Sequence, residues 1–155
     1  MAWFKKPKSS ALVFSDAKVE KFINYLMKDG KKTTARRVFN DTMNEIRSAG
    51  HQNPKGVLFT AIDNTAPSIM IKSKRVWGSV YQVPVEVKPG RKMYFACTWL
   101  LDAANAKKGK PMFKKLAEEL LAAYSEQGNA VKKKEDVHKM AEANKAFAYM
   151  AKYVK

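Results

Sequence analysis

The chain has 155 residues, about the length of one typical domain and enough to build a hydrophobic core without a cofactor holding it together. Its apolar fraction of 46% excludes a disordered tail, and no run of about 18 apolar residues could span a bilayer. Thirty Lys and Arg against fourteen Asp and Glu give a net charge of +16. This excess indicates a polyanionic partner, either a nucleic acid or an anionic membrane surface.

The first fifteen residues are predicted to form a basic arm, because Lys5, Lys6 and Lys8 occur with no acidic residue before Asp16. The arm has two interpretations, a segment that touches RNA or an organelle presequence. Residues 16–155 are predicted to form a single helical domain. Cys97 is the only cysteine and lies in an apolar run, which favours a buried structural role over a reactive one.

Apolar residues at helical spacing predict six α-helices. Asp16 or the residue before it is available to cap the first helix, and Thr33 or Thr34 the second. The fifth helix is predicted to turn Tyr124 inward, and the sixth to take the remainder of the chain. The stripe of this sixth helix would contain Val137, Met140, Ala141, Asn144 and Ala148.

Between residues 68 and 88, side chains alternate in character with a period of two. This pattern predicts a two-stranded antiparallel β-ribbon between helices three and four, with Gly78 in its turn. Two strands alone are marginal in water, so the base of the ribbon must lean on the helices. Trp77 lies at the tip beside Arg75. Its indole either stacks on a base or a protein partner, or folds back onto the ribbon. The predicted fold class is therefore mainly α, a six-helix domain with a protruding β-ribbon.

No catalytic or metal-binding pattern is present in the sequence. His51 and His138 have no local partner pattern, and no Cys or His pair has the spacing of metal ligands. Glu118 and Glu119 are expected to satisfy neighbouring lysines or a helix start instead of doing acid–base work. The sequence therefore predicts no enzymatic activity, no cofactor and no metal site.

Basic residues occur in five clusters. One such run alone is typical of a solvated face, but five of them indicate phosphate binding, and the excess of Lys over Arg favours charge neutralisation over base recognition. The clusters comprise Lys31, Lys32, Arg36 and Arg37; Lys72, Lys74 and Arg75; Lys88, Arg91 and Lys92; Lys107, Lys108, Lys110, Lys114 and Lys115; and Lys132, Lys133, Lys134 and Lys139.

Three sequence motifs of the chain resemble those of a known protein family. They are FINYLMKDGKKTTA at 22–35, KSKRV at 72–76 with YQVPVEV at 81–87, and AVKKKEDVHKMAEANKAFA at 130–148. In this order they closely resemble the family of the seventh protein of the small ribosomal subunit, bacterial type, over residues 19 to 148.

The resemblance implies a structural protein that binds the 3′ major domain of small-subunit ribosomal RNA and nucleates assembly of the subunit head. It places the ribbon near the exit-site tRNA and the messenger RNA path, among head and platform proteins, with no membrane partner. The RNA contacts that it implies are Lys31, Lys32, Arg36, Lys72, Lys74, Arg75, Arg91, Lys92, Lys132, Lys133, Lys134, His138 and Lys139. The charge clusters add Lys107, Lys108, Lys110 and Lys114, and the tip near tRNA and messenger RNA comprises Arg75, Val76, Trp77, Gly78 and Ser79.

The chain departs from the family pattern at several places. Trp77 stands where the family has a glycine, Thr98 where an arginine is expected and Tyr149 where a histidine is expected. Such drift, together with the unusual N-terminal arm, favours an organellar ribosome, in particular a mitochondrial one, over the bacterial cytoplasm. The alternative function is a free-standing, generic RNA-binding protein or RNA chaperone. An anionic-membrane protein is a third class, but its exposed amphipathic helix is not predicted.

Overall fold

A computed structural model describes residues 16–153, with the side chains described up to residue 151. The predicted basic arm of residues 1–15 lies outside the described residues. The elements in chain order are α1 (Ala17–Leu26), α2 (Lys32–Ser48), α3 (Pro54–Thr65), β1 (Ile69–Val76), β2 (Ser79–Glu86), α4 (Pro89–Ala106), α5 (Met112–Tyr124), α6 (Asn129–Ala143) and a 3-10 helix (Lys145–Tyr153). The predicted fold class, mainly α with an antiparallel ribbon between α3 and α4, is confirmed.

The apolar stripes of helices α1 to α5 meet in one hydrophobic core, which also takes the start of α6. Phe22 of α1 and Phe39 of α2 lie at its centre, with ring centroids 6.1 Å apart. Leu100 of α4 and Leu120 of α5 are completely buried beside them. Burial of each such side chain stabilises the fold by about 1.5–3 kcal/mol, so the core accounts for how the five helices hold together.

The N-cap side chains of α1 and α3 accept backbone hydrogen bonds, whereas α2 has no side-chain cap. Asp16 accepts a hydrogen bond from the backbone N–H of Lys18, and Asn53 accepts one from Gly56. The prediction that Thr33 or Thr34 caps α2 is wrong, because α2 begins at Lys32 and its N-cap is Lys31. Positive φ angles at Asp29 and Gly30 reverse the chain so tightly that the helix starts before the threonines are reached.

The chain after Ala143 differs from the predicted sixth helix, which was expected to take the remainder of the sequence. Helix α6 ends at Ala143, where the Asn144 side chain bonds back to the carbonyl of Met140 at 2.8 Å and ends the α-helical pattern. The 3-10 helix then turns onto the ribbon and places Phe147 5.4 Å from the Tyr81 ring. Met140 and Ala148, predicted to be on a buried stripe, are exposed, whereas Ala141 of the same stripe is buried.

Tyr124 at the end of α5 is also placed differently. The helical spacing predicts that Tyr124 faces the core, but 41% of it is exposed. Its ring contacts His51 edge-on, with the centroids 5.5 Å apart. The helical spacing is correct, but the helix ends at this residue, so no neighbouring element covers its outer side.

The β-ribbon pairs in a regular antiparallel register from Ile69 opposite Glu86 to Val76 opposite Ser79. Its base rests on α6 and the 3-10 helix, and both Val83 and Val87 are buried there. The prediction that the ribbon leans on helices at its base is confirmed. Toward the tip, Val80 is 67% exposed, so the distal half of the ribbon stands free of the helical body.

Glu119 is a charged side chain buried inside the helical body, with only 1% of it exposed. Its Oε1 accepts a hydrogen bond from the backbone N–H of Ala130 at 3.1 Å, and its Oε2 pairs with the Lys107 ammonium at 2.9 Å. One carboxylate thus joins the end of α4, the middle of α5 and the start of α6. This confirms the expectation that Glu118 and Glu119 serve lysines and a helix start, since Glu118 pairs with Lys110.

Candidate nucleic-acid interface

The base of the ribbon and the start of α4 form one cationic groove. Lys72 of β1, Lys88 before α4 and Arg91 of α4 line it, and Met70 and Phe95 are among its apolar lining. These cations come from two of the sequence clusters, so the fold brings separate basic runs onto one surface. A groove with cations along its edges suits a phosphate backbone, because each ammonium or guanidinium neutralises one phosphate.

A second cationic groove lies between the end of α1 and the starts of α2 and α5. Lys28, Lys31 and Lys115 line it together with Thr34 and Asn105. Lys31 and Lys115 belong to two different basic runs. Lys28 was not singled out from the sequence, because it stands beside Asp29 and looks like an ordinary residue of a charged turn.

A third groove combines cations of α1 with the start of α4. Lys18, Lys21 and Lys92 line it, and the Lys18 ammonium lies 5.6 Å from the centre of the Phe59 ring. Sequence reasoning missed Lys18 and Lys21 because they alternate with apolar residues along α1. The only available signal was that both lie on the outer face of an amphipathic helix.

Several predicted RNA contacts already have partners within the protein. Lys32 and Arg36 both bind Glu20, at 3.1 and 3.2 Å, and the hydrogen bond from Lys32 is the main cause that lowers the pKa of the Glu20 carboxyl. Lys107 is tied to the buried Glu119 and Lys110 to Glu118. A lysine that neutralises a buried carboxylate has less freedom to follow a phosphate than an exposed lysine, so these cations differ in availability.

The three consecutive lysines of α6 divide into three environments. Lys132 is exposed on the surface. Lys133 lies 3.6 Å from Asp102 and 5.7 Å from the centre of the Trp99 ring. Lys134 donates to the backbone carbonyl of Asn64 at 2.6 Å and so helps to hold α6 against α3.

His138 connects α6 to the base of the ribbon. Its Nε2 lies 3.1 Å from the Ser68 backbone nitrogen and accepts that N–H, which requires a neutral ring nitrogen. Burial first, and then the nearby Lys134 ammonium, lower the pKa of His138 below its ordinary value of 6.5. The structure therefore gives this predicted RNA contact a role in positioning the ribbon.

The predicted contacts fall into two sets by exposure. The exposed ones are Lys31, Lys72, Arg75, Arg91, Lys108, Lys110, Lys114, Lys132, Lys133 and Lys139. The half-buried ones are Lys32, Arg36, Lys74, Lys92, Lys107, Lys134 and His138. Exposed members occur in all five clusters, so each cluster presents charge to solvent.

The ribbon tip carries Trp77 and Gly78 in a two-residue turn. Both have positive φ, at 49° and 85°, as in a type I′ turn, and 84% of Trp77 is exposed. The interpretation in which the indole folds back onto its own ribbon is wrong. A left-handed conformation costs a residue other than glycine about 1–2 kcal/mol, so the tip displays an uncovered aromatic ring on a strained backbone.

Reactive chemistry has little basis in the described part of the chain. Burial raises the pKa of the Cys97 thiol to about 12, so this cysteine is a core residue, as its apolar run indicated. Among residues 16–153 there is no group of His, Cys, Asp and Glu that could hold a metal ion. None of the helices in that range combines the length and apolar character needed to cross a membrane.

The sequence matches the model of the ribosomal protein S7p/S5e family over residues 3–145. The chain belongs to this family. Its relatives include the small ribosomal subunit protein uS7 of Rhodopirellula baltica, 51% identical over 133 residues that cover 84% of this chain and 85% of the relative. The uS7 protein of Thermotoga maritima is 47% identical over 88% of this chain and 88% of the relative. The uS7 protein of Alkalilimnicola ehrlichii is 48% identical over 83% of each of the two chains.

Membership of the S7p/S5e family confirms the resemblance that the three motifs carry. Because this is a family of ribosomal proteins, the prediction that the chain is not an enzyme is also confirmed. The relatives named above are bacterial. The preference for an organellar ribosome therefore gains no support from them.

Proposed function

We propose that this chain is a structural component of the small ribosomal subunit that binds ribosomal RNA through the three cationic grooves described above for residues 16–151. The observation that carries the proposal is that cations from distant parts of the sequence line the same groove, as Lys28 and Lys31 do together with Lys115. The names of the relatives support the assignment to the small subunit. Exposed lysines suit phosphate positioning, which fixes the register of a protein on folded RNA without reading bases.

The finer proposal concerns which RNA is bound. From the family resemblance we infer the 3′ major domain of the small-subunit RNA, with nucleation of head assembly as the consequence. The head and platform proteins of the subunit would be the protein neighbours. The predicted RNA contacts divide between exposed residues, which bind phosphates directly, and half-buried ones such as Lys107 and His138, which hold the binding surface in shape.

The ribbon is proposed to lie near the exit-site tRNA and the messenger RNA path. Its exposed distal half, with Arg75 and Trp77 at the tip, supports a contact away from the helical body. Because the helical grooves and the tip are separate surfaces, the protein can bind ribosomal RNA with one and meet a passing RNA with the other.

The experiment is a binding titration with two transcripts of equal length, one of the 3′ major domain from the source organism and one of unrelated folded RNA. The expected result is a preference for the first transcript that persists as the salt concentration rises, because charge alone gives no such preference. Parallel loss of affinity for both transcripts would instead support the generic RNA-binding or chaperone function.

A pair of single substitutions links the titration to the groove. Lys31→Gln removes a groove cation, whereas Lys145→Gln removes an exposed cation that pairs with Glu142 on the 3-10 helix side. Both variants lose one positive charge. The proposal expects a weaker affinity and a shallower salt dependence for Lys31→Gln and a smaller change for Lys145→Gln, whereas equal changes would show that only net charge matters.

A further inference from the structure

We propose that the Trp77 indole at the ribbon tip is a stacking surface for an unpaired nucleobase of single-stranded RNA. This inference rests on the proposed function, because it names the chemistry of the contact made by the tip. The tip departs from the pair of glycines in the family pattern, so the inference concerns this chain's own tryptophan.

The turn conformation disfavours tryptophan at this position. Both central residues of the turn have positive φ, which favours Asn, Asp or Gly at the first of them. The loop between α1 and α2 has the same succession of positive φ angles and places Asp29 before Gly30, a residue type that tolerates this conformation. Tryptophan at the ribbon tip gains nothing locally in exchange, since 84% of it remains in solvent.

A ligand that covers the Trp77 ring would offset the cost of this conformation. The charge of the residues around the tip indicates which class of ligand this is. Lys72, Lys74 and Arg75 lie on the strand that leads to the turn, and no acidic residue occurs from position 68 to position 85. The tip is therefore complementary to a polyanion. An exposed aromatic ring flanked by cations is the combination that binds single-stranded nucleic acid, where bases stack and phosphates are neutralised.

The reach of the ribbon favours a strand that is separate from the RNA bound on the helices. Each strand has eight residues, which at about 3.4 Å per residue place the turn roughly 24 Å from the first pair. The base is fixed by α6 and the 3-10 helix, and Arg75 and Val80 face each other one pair below the last. The indole is thus held at a defined distance from the helical body.

The test uses the full chain and two RNA probes, a single-stranded oligoadenylate of about a dozen nucleotides and a blunt-ended RNA duplex of the same strand length, which has no loop. Trp77→Asn removes the ring and supplies a residue that the turn favours, whereas Trp77→Phe keeps an aromatic face. The expected result is about 5- to 150-fold weaker binding of the oligoadenylate by Trp77→Asn, as for removal of one stacking contact. Trp77→Phe should retain most of the affinity, and duplex affinity should stay within about twofold because a duplex offers no unpaired base.

A melting curve and a fluorescence titration complete the test. Trp77→Asn should melt at or above the wild-type temperature, because it relieves the turn without losing packing. Oligoadenylate should quench the part of the tryptophan emission that Trp77 contributes, measured as the difference between the wild type and Trp77→Phe, which keeps Trp3 and Trp99. A lower melting temperature would show that the indole is packed, and unchanged oligoadenylate affinity or the same loss on the duplex would also overturn the inference.

The 3′ major domain transcript separates the two proposals. If wild type and Trp77→Asn both prefer this transcript but bind oligoadenylate equally, the stacking inference fails and the proposed function stands. If the wild type shows no preference for the transcript, the proposed function itself fails. Loss of a co-purifying ribosomal protein in Trp77→Asn with oligoadenylate binding unchanged would assign the ring to a protein partner and overturn the inference.

Discussion

Glu119 caps a helix to which it does not belong: its Oε1 accepts the backbone N–H of Ala130 at 3.1 Å, in the first turn of α6. The N-cap residue of α6 is Gly128, which has no side chain to do this. A free N–H buried at a helix start is costly, so a carboxylate from α5 supplies the acceptor. The Lys107 ammonium neutralises the same carboxylate at 2.9 Å, which makes its burial tolerable.

Glu119→Ala is expected to lower the free energy of unfolding by about 2–4 kcal/mol, because it leaves a buried N–H without an acceptor and empties the space of the side chain. Urea denaturation measures the loss. The matched control is Glu118→Ala on the same helix, whose exposed pair with Lys110 lies on the surface, and its unfolding midpoint should stay close to that of the wild type. Equal losses in the two variants would contradict the role given to Glu119.

Gly128→Ala is expected to destabilise the protein more than Gly109→Ala does. Both glycines have positive φ, at 97° and 81°. A Cβ at position 128 would lie 2.9 Å from Glu119 Oε1, whereas one at position 109 would meet nothing within 4 Å. Backbone strain costs about 1–3 kcal/mol at each site, and only position 128 adds the displacement of the capping carboxylate. Thermal melting of the two variants checks the order, and an equal shift would show that the carboxylate moves freely.

The folded state is expected to lose stability as the pH falls through about 6.5. Because the pKa of His138 is lower in the folded protein than its ordinary value, the unfolded chain binds this proton more readily. The contribution of His138 to the free energy of unfolding is fully present when the pH is above the pKa of this residue in the unfolded chain. It decreases as the pH falls below that value and is lost once the pH is below the pKa of His138 in the folded protein. Melting temperatures at about pH 7.5 and pH 5.5 measure the effect.

The comparison variant for this pH dependence is His138→Gln, which removes the titrating ring and keeps a side chain able to accept the Ser68 N–H. Its melting temperature should depend less on pH over the same interval. The carboxyl of Glu20, whose pKa is lowered from 4.5, acts only at more acidic pH and does not interfere. A slope that is the same in His138→Gln and in the wild type would assign the pH dependence to other groups.

The lysine run of α6 is expected to separate into a binding residue and a structural one. Lys132→Ala should keep the melting temperature and reduce the slope of log affinity against log salt by about 0.9, the loss of one phosphate contact on a duplex. Lys134→Ala should lower the melting temperature, because it removes the hydrogen bond to the Asn64 carbonyl. Salt titrations and melting curves of both variants are the measurement, and the reversed pattern would contradict the placement of the two side chains.

The helices and the ribbon could be predicted from the sequence because periodicity reports which face of an element is buried. The end of α6 could not, since a single side-chain bond of Asn144 decides where the helix stops and where Phe147 meets Tyr81. The prediction that Tyr124 faces the core is wrong for a related reason. Spacing gives the direction of a side chain but does not show whether another element covers it.

The cationic surface was only partly predictable. Runs of consecutive lysines are visible in a sequence, but a surface is made from residues that the fold brings together. Lys28 joins Lys31 and Lys115 although it belongs to no run, and Lys107 belongs to a run but neutralises Glu119. Likewise, Gly78 indicated the turn of the ribbon from the sequence. The positive φ of Trp77 could not be predicted, because it depends on the two-residue length of that turn.

The most direct test of the RNA-binding assignment is sedimentation of a native extract through sucrose gradients at moderate and high salt, with this chain followed by mass spectrometry. We expect the chain to travel with the small ribosomal subunit at moderate salt, and to remain with it after loosely bound protein is removed at high salt, because contacts to one folded RNA outlast nonspecific charge attraction. A chain that stays at the top of the gradient at moderate salt would contradict it.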